Sequence, residues 1–111
     1  MKLSKELLNN LISITSNSAI ACHPFIGKNE KILADKAATD IMRYELNKLD
    51  IKGKVVIGEG ELDEAPMLFI GEELGSGNGP EIDIAVDPLE GTNFVAKNLP
   101  GAMTVLAISE K

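Results

Sequence analysis

The sequence has no tryptophan, one tyrosine, three phenylalanines and one cysteine. The lone Cys22 rules out an intramolecular disulfide and suits a reducing compartment. Aromatics make up 4% of the chain and apolar residues 44%, so the expected core is aliphatic. No apolar run approaches the ~20 residues that span a bilayer. The opening "MKLSKELLNNLISIT" is too polar for a secretory leader. These absences predict a soluble, cytoplasmic protein, and 111 residues is a common size for one domain.

The most informative absence is local. Between Lys54 and Lys97 there is no lysine or arginine. The same interval holds Glu59, Glu61, Asp63, Glu64, Glu72, Glu73, Glu81, Asp83, Asp87 and Glu90. A net charge of −6 argues against nonspecific nucleic-acid binding. Acidic runs are commonly solvated surface or disorder. Here the acids alternate with strand-like apolar runs, as in a folded region whose field is unbalanced. A divalent cation would balance it.

The spacing predicts a first helix from Ser4, which caps it, to "CHPFIG", where Pro24 and Gly27 stop it. Leu3 and Leu8 are placed to staple the cap. Leu7, Leu8, Leu11, Ile12, Thr15, Ala19 and Ile20 form the expected apolar stripe. A second helix runs from about Lys31 or Asp35 to Leu49, with Ala34, Ala37, Ala38, Ile41, Met42, Leu46 and Leu49 along one side. "KVVIGEGE" reads as a strand ending at Gly58. Met67–Ile70 fits strand or helix, and "GSGNGP" is a loop. Ile82–Val86 is a strand, with Ile82, Ile84 and Val86 on one face and Asp83 and Asp87 on the other. A last strand lies near Met103–Ile108. Two helices followed by several strands predict an α+β fold with a mostly antiparallel sheet.

Two turns carry chemistry. "IGEGELDE" lacks the third glycine of a dinucleotide loop, and its acids would repel a pyrophosphate. It does not match the offsets of an EF-hand either. Its glycines instead let the backbone bend and present Glu59 and Glu61 at the end of the strand. In "DPLEGT", Asp87 and Glu90 lie three apart across a bend stiffened by Pro88. Their oxygens suit a hard cation such as Mg²⁺ or Mn²⁺. Gly91 allows close approach to a ligand. A helix starting near Thr92–Phe94 would aim free N–H groups at a phosphate, and Thr92 could hold or activate an attacking water. Asp87 and Thr92 equally serve as ordinary turn caps. Adjacent strand ends lie ~5 Å apart, so Glu59, Asp87 and Glu90 can converge. Two cations held there would clamp the attacking and leaving oxygens of a phosphoryl transfer. His23 beside Cys22 has no second Cys or His to join it as a soft metal site.

"GEGELDEAPML" together with "DPLEGT" resembles the class II fructose-1,6-bisphosphatases. These belong to the metal-dependent, lithium-sensitive phosphatase superfamily, alongside the inositol monophosphatases. Glu90 replaces the second Asp of the usual superfamily turn. "NEKILADKAA" is similar to the family's early helix. The resemblance implies a layered fold of that type and two divalent ions, Mn²⁺ or Mg²⁺. One would be bound by Asp35 and Glu59, the other by Asp87 and Glu90. It also implies that Thr92 positions the nucleophilic water and that Glu90, Gly91 and Thr92 line the substrate. Asp63 and Lys31 match positions that contribute to activity. The implied reaction is hydrolysis of the 1-phosphate of fructose 1,6-bisphosphate, a gluconeogenic step, by direct attack of water. The resemblance covers only the N-terminal third of such enzymes. Residues 1–111 are therefore expected to be the first portion of a sugar-phosphatase domain, nearly inactive alone. The expected partners are a small-molecule sugar bisphosphate and either a second copy or a complementing C-terminal part, with no nucleic acid and no membrane. A related inositol or sugar phosphatase, and a non-catalytic metal- or partner-binding module, are the alternatives.

Overall fold

A computed structural model describes residues 3–59 and 67–111. In chain order the elements are helix α1 (Lys5–Cys22), a 3-10 turn (His23–Phe25), helix α2 (Lys31–Asn47), strands β1 (Lys52–Ile57), β2 (Glu73–Leu74) and β3 (Glu81–Glu90), helix α3 (Thr92–Ala96) and strand β4 (Met103–Glu110). The class is α+β, as expected. The sheet order is β2-β1-β3-β4. The outer pairs β1–β2 and β3–β4 are antiparallel, but the central pair β1–β3 is parallel. The sheet is therefore mixed, which corrects the mostly antiparallel expectation. The long connection through β2 brings the chain back to start β3 at the same end as β1.

Ser4 caps α1 as expected: its Oγ accepts a hydrogen bond from the Leu7 N–H at 3.0 Å. Ser4→Ala should cost about 1 kcal/mol, read as a lower urea midpoint with unchanged slope. The inward face of α1 differs from the expected stripe. Ile14, Ser18 and Cys22 are buried, and Leu3, Leu7 and Leu11 pack against the core. Leu8, Ile12, Ala19 and Ile20 remain exposed. Apolar residues lie on both sides of this helix, and only the sheet decides which side is covered. In α2, Ala34, Ala38, Met42 and Leu46 are buried as read.

The two helices pack on each other and on one face of the sheet. Met42 and Leu46 meet Val55, Ile82, Ile84 and Val86 in the main core. The alternation expected in β3 holds, because the intervening Asp83, Ala85 and Asp87 turn to the other face. Along β4, Leu106 and Ile108 pack toward the core. Met103 and Val105, on the opposite face, are exposed. The Thr104 hydroxyl ties β4 to α1 by donating to the Thr15 carbonyl at 3.0 Å. Leu8, Ile12 and Ala19 lie within one or two turns of Thr15 at helical spacing. That exposed stripe therefore runs above the β4 edge of the sheet.

Three local differences bear on the site. Strand β3 continues through Glu90 instead of ending at Val86. Segment 67–70 is neither strand nor helix, and β2 follows it. A smaller cluster of Cys22, Ala34, Ala38, Leu89 and Val95 pins the far end of β3 and α3 against the first half of α2.

Candidate active site

The parallel pairing of β1 and β3 sets the first element of the site. Ile57 lies opposite Ala85 in the last β1–β3 pair, beyond which β1 ends and β3 runs on along β4. Glu59 comes two residues after Ile57, and Asp87 two after Ala85. Just before Glu59, the backbone passes close to another segment. A Cβ on Gly58 would sit 2.5 Å from the Leu68 carbonyl oxygen, which only glycine avoids. The Glu59 N–H donates to that carbonyl at 3.0 Å, and the Leu68 N–H donates back to Glu59 Oε2 at 3.3 Å. Gly58 thus serves close approach, whereas the sharp bend was the expectation, and Gly60 lies outside the described residues.

The second element is a bulge. Asp87 pairs with Val105 and Glu90 with Met103, so β3 spends one residue more than β4 over this stretch. In a regular strand, residues three apart point to opposite faces. The extra residue resets the alternation, and the Asp87 and Glu90 carboxylates come close enough for Glu90 to raise the Asp87 pKa. Gly91 follows with φ 85°, and the chain turns directly into α3. Thr92 opens that helix, as expected. At five residues α3 is too short to gather a substantial dipole.

The third element comes from α2. Asp35 sits between the fully buried Ala34 and Ala38, whose small side chains let the helix approach Leu89 and Val95. Two backbone bonds tie the α1–α2 loop to α3: Gly27 N–H to the Val95 carbonyl at 2.8 Å and Asn29 N–H to the Ala96 carbonyl at 3.0 Å. Asp35 Oδ1 is buried with no hydrogen-bond partner. Lys31, one turn earlier, is exposed. Asp63 and Glu61 lie outside the described residues.

The electrostatics record a shared field. Burial raises the pKa of Asp35. Burial, then the charges of Asp35 and Asp87, push Glu59 up to about 7. Asp87 is pushed up to about 6 by burial, then by the neighbouring Glu90 carboxylate, with a further contribution from Asp35. Each of these carboxylates is therefore held at a cost that a positive charge would relieve. Among the described residues, no three acidic, histidine or cysteine side chains close on a single point. The carboxylates gather at one end of the sheet and sense one another, yet stop short of a finished cage.

The donor chemistry fits a hard divalent cation: carboxylate oxygens only, one of them buried and unpartnered. Soft donors are not on offer. Cys22 is buried and its thiol is pushed up to about 11 by burial and by Asp35, so it stays protonated. His23 is exposed at the start of the 3-10 turn. Reasoning from the sequence missed one feature near the site, an ion pair between Arg43 and Glu72. Its signal was Arg43 itself, the only arginine in the chain.

Residues 5–111 match the family described as bacterial fructose-1,6-bisphosphatase, glpX-encoded. A protein of Prochlorococcus marinus (strain MIT 9515) named D-fructose 1,6-bisphosphatase class 2/sedoheptulose 1,7-bisphosphatase is 51% identical over 108 residues, covering 97% of this chain and 32% of the relative. A protein of the same name from Synechococcus sp. (strain CC9902) is 50% identical over 109 residues, covering 98% and 33%. The chain thus spans about a third of the length of these relatives. A solved structure described as an extragenic suppressor from Pyrococcus furiosus superposes with a TM-score of 0.63 at 20% identity, covering 96% of this chain and 41% of that one. At that identity the likeness is one of fold alone. With the match running from Lys5 to the last residue, the chain belongs to the family of bacterial, glpX-encoded fructose-1,6-bisphosphatases.

Proposed function

We propose that residues 1–111 form the N-terminal portion of a cytoplasmic sugar-phosphatase domain and supply its carboxylate ligands for two divalent ions, Mn²⁺ or Mg²⁺. The observation that carries this reading is the gathering of Asp35, Glu59, Asp87 and Glu90 from three elements at one end of the sheet, where the pKa values of Asp35, Glu59 and Asp87 are raised. Asp35 and Glu59 hold one ion, and Asp87 and Glu90 the other. When bound, the ions supply the positive charge that draws in and polarises an anionic phosphoryl group.

The substrate is fructose 1,6-bisphosphate, cleaved to fructose 6-phosphate and phosphate. Water attacks the 1-phosphorus, the bond to the sugar oxygen breaks, and no covalent enzyme intermediate forms. The Thr92 hydroxyl orients that water. Gly91, lacking a side chain, leaves room for the phosphate beside the backbone. Lys31 and Asp63 contribute to the activity. The remainder of the sugar pocket comes from a complementing C-terminal part, which seats along the β4 edge and the Leu8–Ile12 stripe above it. Alone, the chain has little or no activity.

The test is phosphate release from fructose 1,6-bisphosphate by this chain joined to the C-terminal two-thirds of a Prochlorococcus relative. Release should require Mn²⁺ or Mg²⁺ and stop with EDTA. No metal-dependent release from the completed protein would refute the reading. Sedoheptulose 1,7-bisphosphate and an inositol monophosphate in the same assay define the substrate range. Heat of metal binding without turnover on any of them would point to a non-catalytic module.

A further inference from the structure

Arg43 lies two turns beyond Asp35 on α2. Its guanidinium grips Glu72 with both prongs, Nε to Oε2 at 2.7 Å and Nη2 to Oε1 at 3.0 Å. Nη2 also donates to the Met67 carbonyl. Glu72 Oε1 accepts from the Phe69 N–H at 3.2 Å, and the Glu72 N–H donates to the Phe69 carbonyl at 3.0 Å. The Glu72 side chain is only 11% exposed and that of Arg43 32%, so the pair is shielded from the water that makes surface ion pairs weak. A forked guanidinium–carboxylate contact fixes direction as well as distance.

What this clip holds is segment 67–72, which has no helix or long strand to stiffen it. Leu68 sits inside that segment and makes both of its backbone hydrogen bonds to Glu59. The path runs from α2 through Arg43 and Glu72 to the segment, and from Leu68 to the Glu59 carboxylate. Strand β1 is gripped by the same segment, since the Val55 N–H donates to the Glu72 carbonyl at 2.9 Å and the Gly71 N–H to the Val55 carbonyl at 2.8 Å. No other arginine exists to substitute.

We propose that Arg43 and Glu72 form a positioning clamp that aims the Glu59 carboxylate at the metal end of the sheet. The inference rests on the proposed function for what Glu59 binds, but the clamp itself is independent of it. Partners outside the ligand set that orient a ligand typically change metal affinity by ~10–100-fold when removed.

The test uses the 111-residue chain and two readouts: Mn²⁺ affinity by calorimetry, and hydrogen exchange of the Leu68 amide by NMR. Arg43→Met should weaken Mn²⁺ binding about tenfold and speed Leu68 exchange by a similar factor. Arg43→Lys keeps the charge without the fork and should recover only part of both. The swap Arg43→Glu with Glu72→Arg should recover more than either single change. Lys36→Met, at an exposed ion pair elsewhere on α2, should move neither. A folded Arg43→Met chain with wild-type Leu68 exchange, or with faster exchange and unchanged Mn²⁺ affinity, overturns the clamp. If Arg43→Met does not fold, Arg43→Lys and Glu72→Gln decide by the same readouts. If neither the wild-type chain nor its fusion to the C-terminal two-thirds of the relative binds Mn²⁺, the proposed function is what fails, and Leu68 exchange alone then decides whether the clamp exists.

Discussion

Asp87→Ala should lower metal-dependent phosphate release from the completed enzyme by at least about a thousandfold. A cation facing a developing phosphoryl charge contributes several kcal/mol, and ~1.4 kcal/mol is a factor of ten in rate. Asp87 is also the hub of the acidic end. Glu90 raises its pKa, and its own charge acts on Glu59. Its removal should therefore disturb both proposed ligand pairs. The control is Asp83→Ala, four residues earlier on the same face of β3, which should change the rate no more than about threefold. A second measurement separates a ligand from a structural residue. In EDTA, Asp87→Ala should leave the 111-residue chain at least as stable as wild type, because the carboxylate is held there against burial and repulsion. A large loss of stability without metal would show that Asp87 serves the fold.

How far the sequence could anticipate this arrangement depended on whether each feature is local. Helix α1 and its cap were legible because Ser4 and the residues after it interact within one turn. Strand β3 was legible because Ile82, Ile84 and Val86 alternate with polar neighbours. The covered side of α1 was misread. Leu8 and Ile12 are as apolar as Leu7 and Leu11, and the choice between them is made by a sheet formed much later in the chain.

The mixed sheet and the bulge were invisible for the same reason. Parallel pairing of β1 with β3, and one surplus residue against β4, are properties of register between distant segments. "DPLEGT" therefore read as a turn throughout, when its first four residues are the last part of a strand. That error matters chemically, because the bulge is what unites Asp87 with Glu90. Asp35 carries no local signal. An acid in the first turns of a helix is ordinary, and only the family resemblance singled it out. Its buried, unpartnered oxygen is a fact of tertiary packing. Glu72 was hidden among its acidic neighbours, since nothing in its own segment says that it meets Arg43.

The same charges predict an inverted pH dependence for the metal-free chain. Carboxylates in most folded proteins are stabilised as anions, and acid weakens the fold. Here the folded values lie above the unfolded ones: Glu59 at about 7 against 4.5, and Asp87 at about 6 against 3.8. Within each window the folded chain binds more protons than the unfolded chain. The resulting stability is fully present below the unfolded value and is lost as pH rises through the folded one. Both groups are partly exposed, so water screens the effect, and the combined loss is on the order of 3 kcal/mol. Urea unfolding in EDTA should therefore show the chain weakening steadily from pH 5 to pH 8. Mn²⁺ should reverse the trend, because its ligands must be deprotonated and its affinity rises with pH. At millimolar Mn²⁺ the gain in melting temperature should be large at pH 8 and near zero at pH 4.5. A chain whose stability is flat or rises between pH 5 and pH 8 in EDTA would mean that folding does not hold back the ionisation of Glu59 and Asp87. The acidic end would then have no unmet charge to offer a cation.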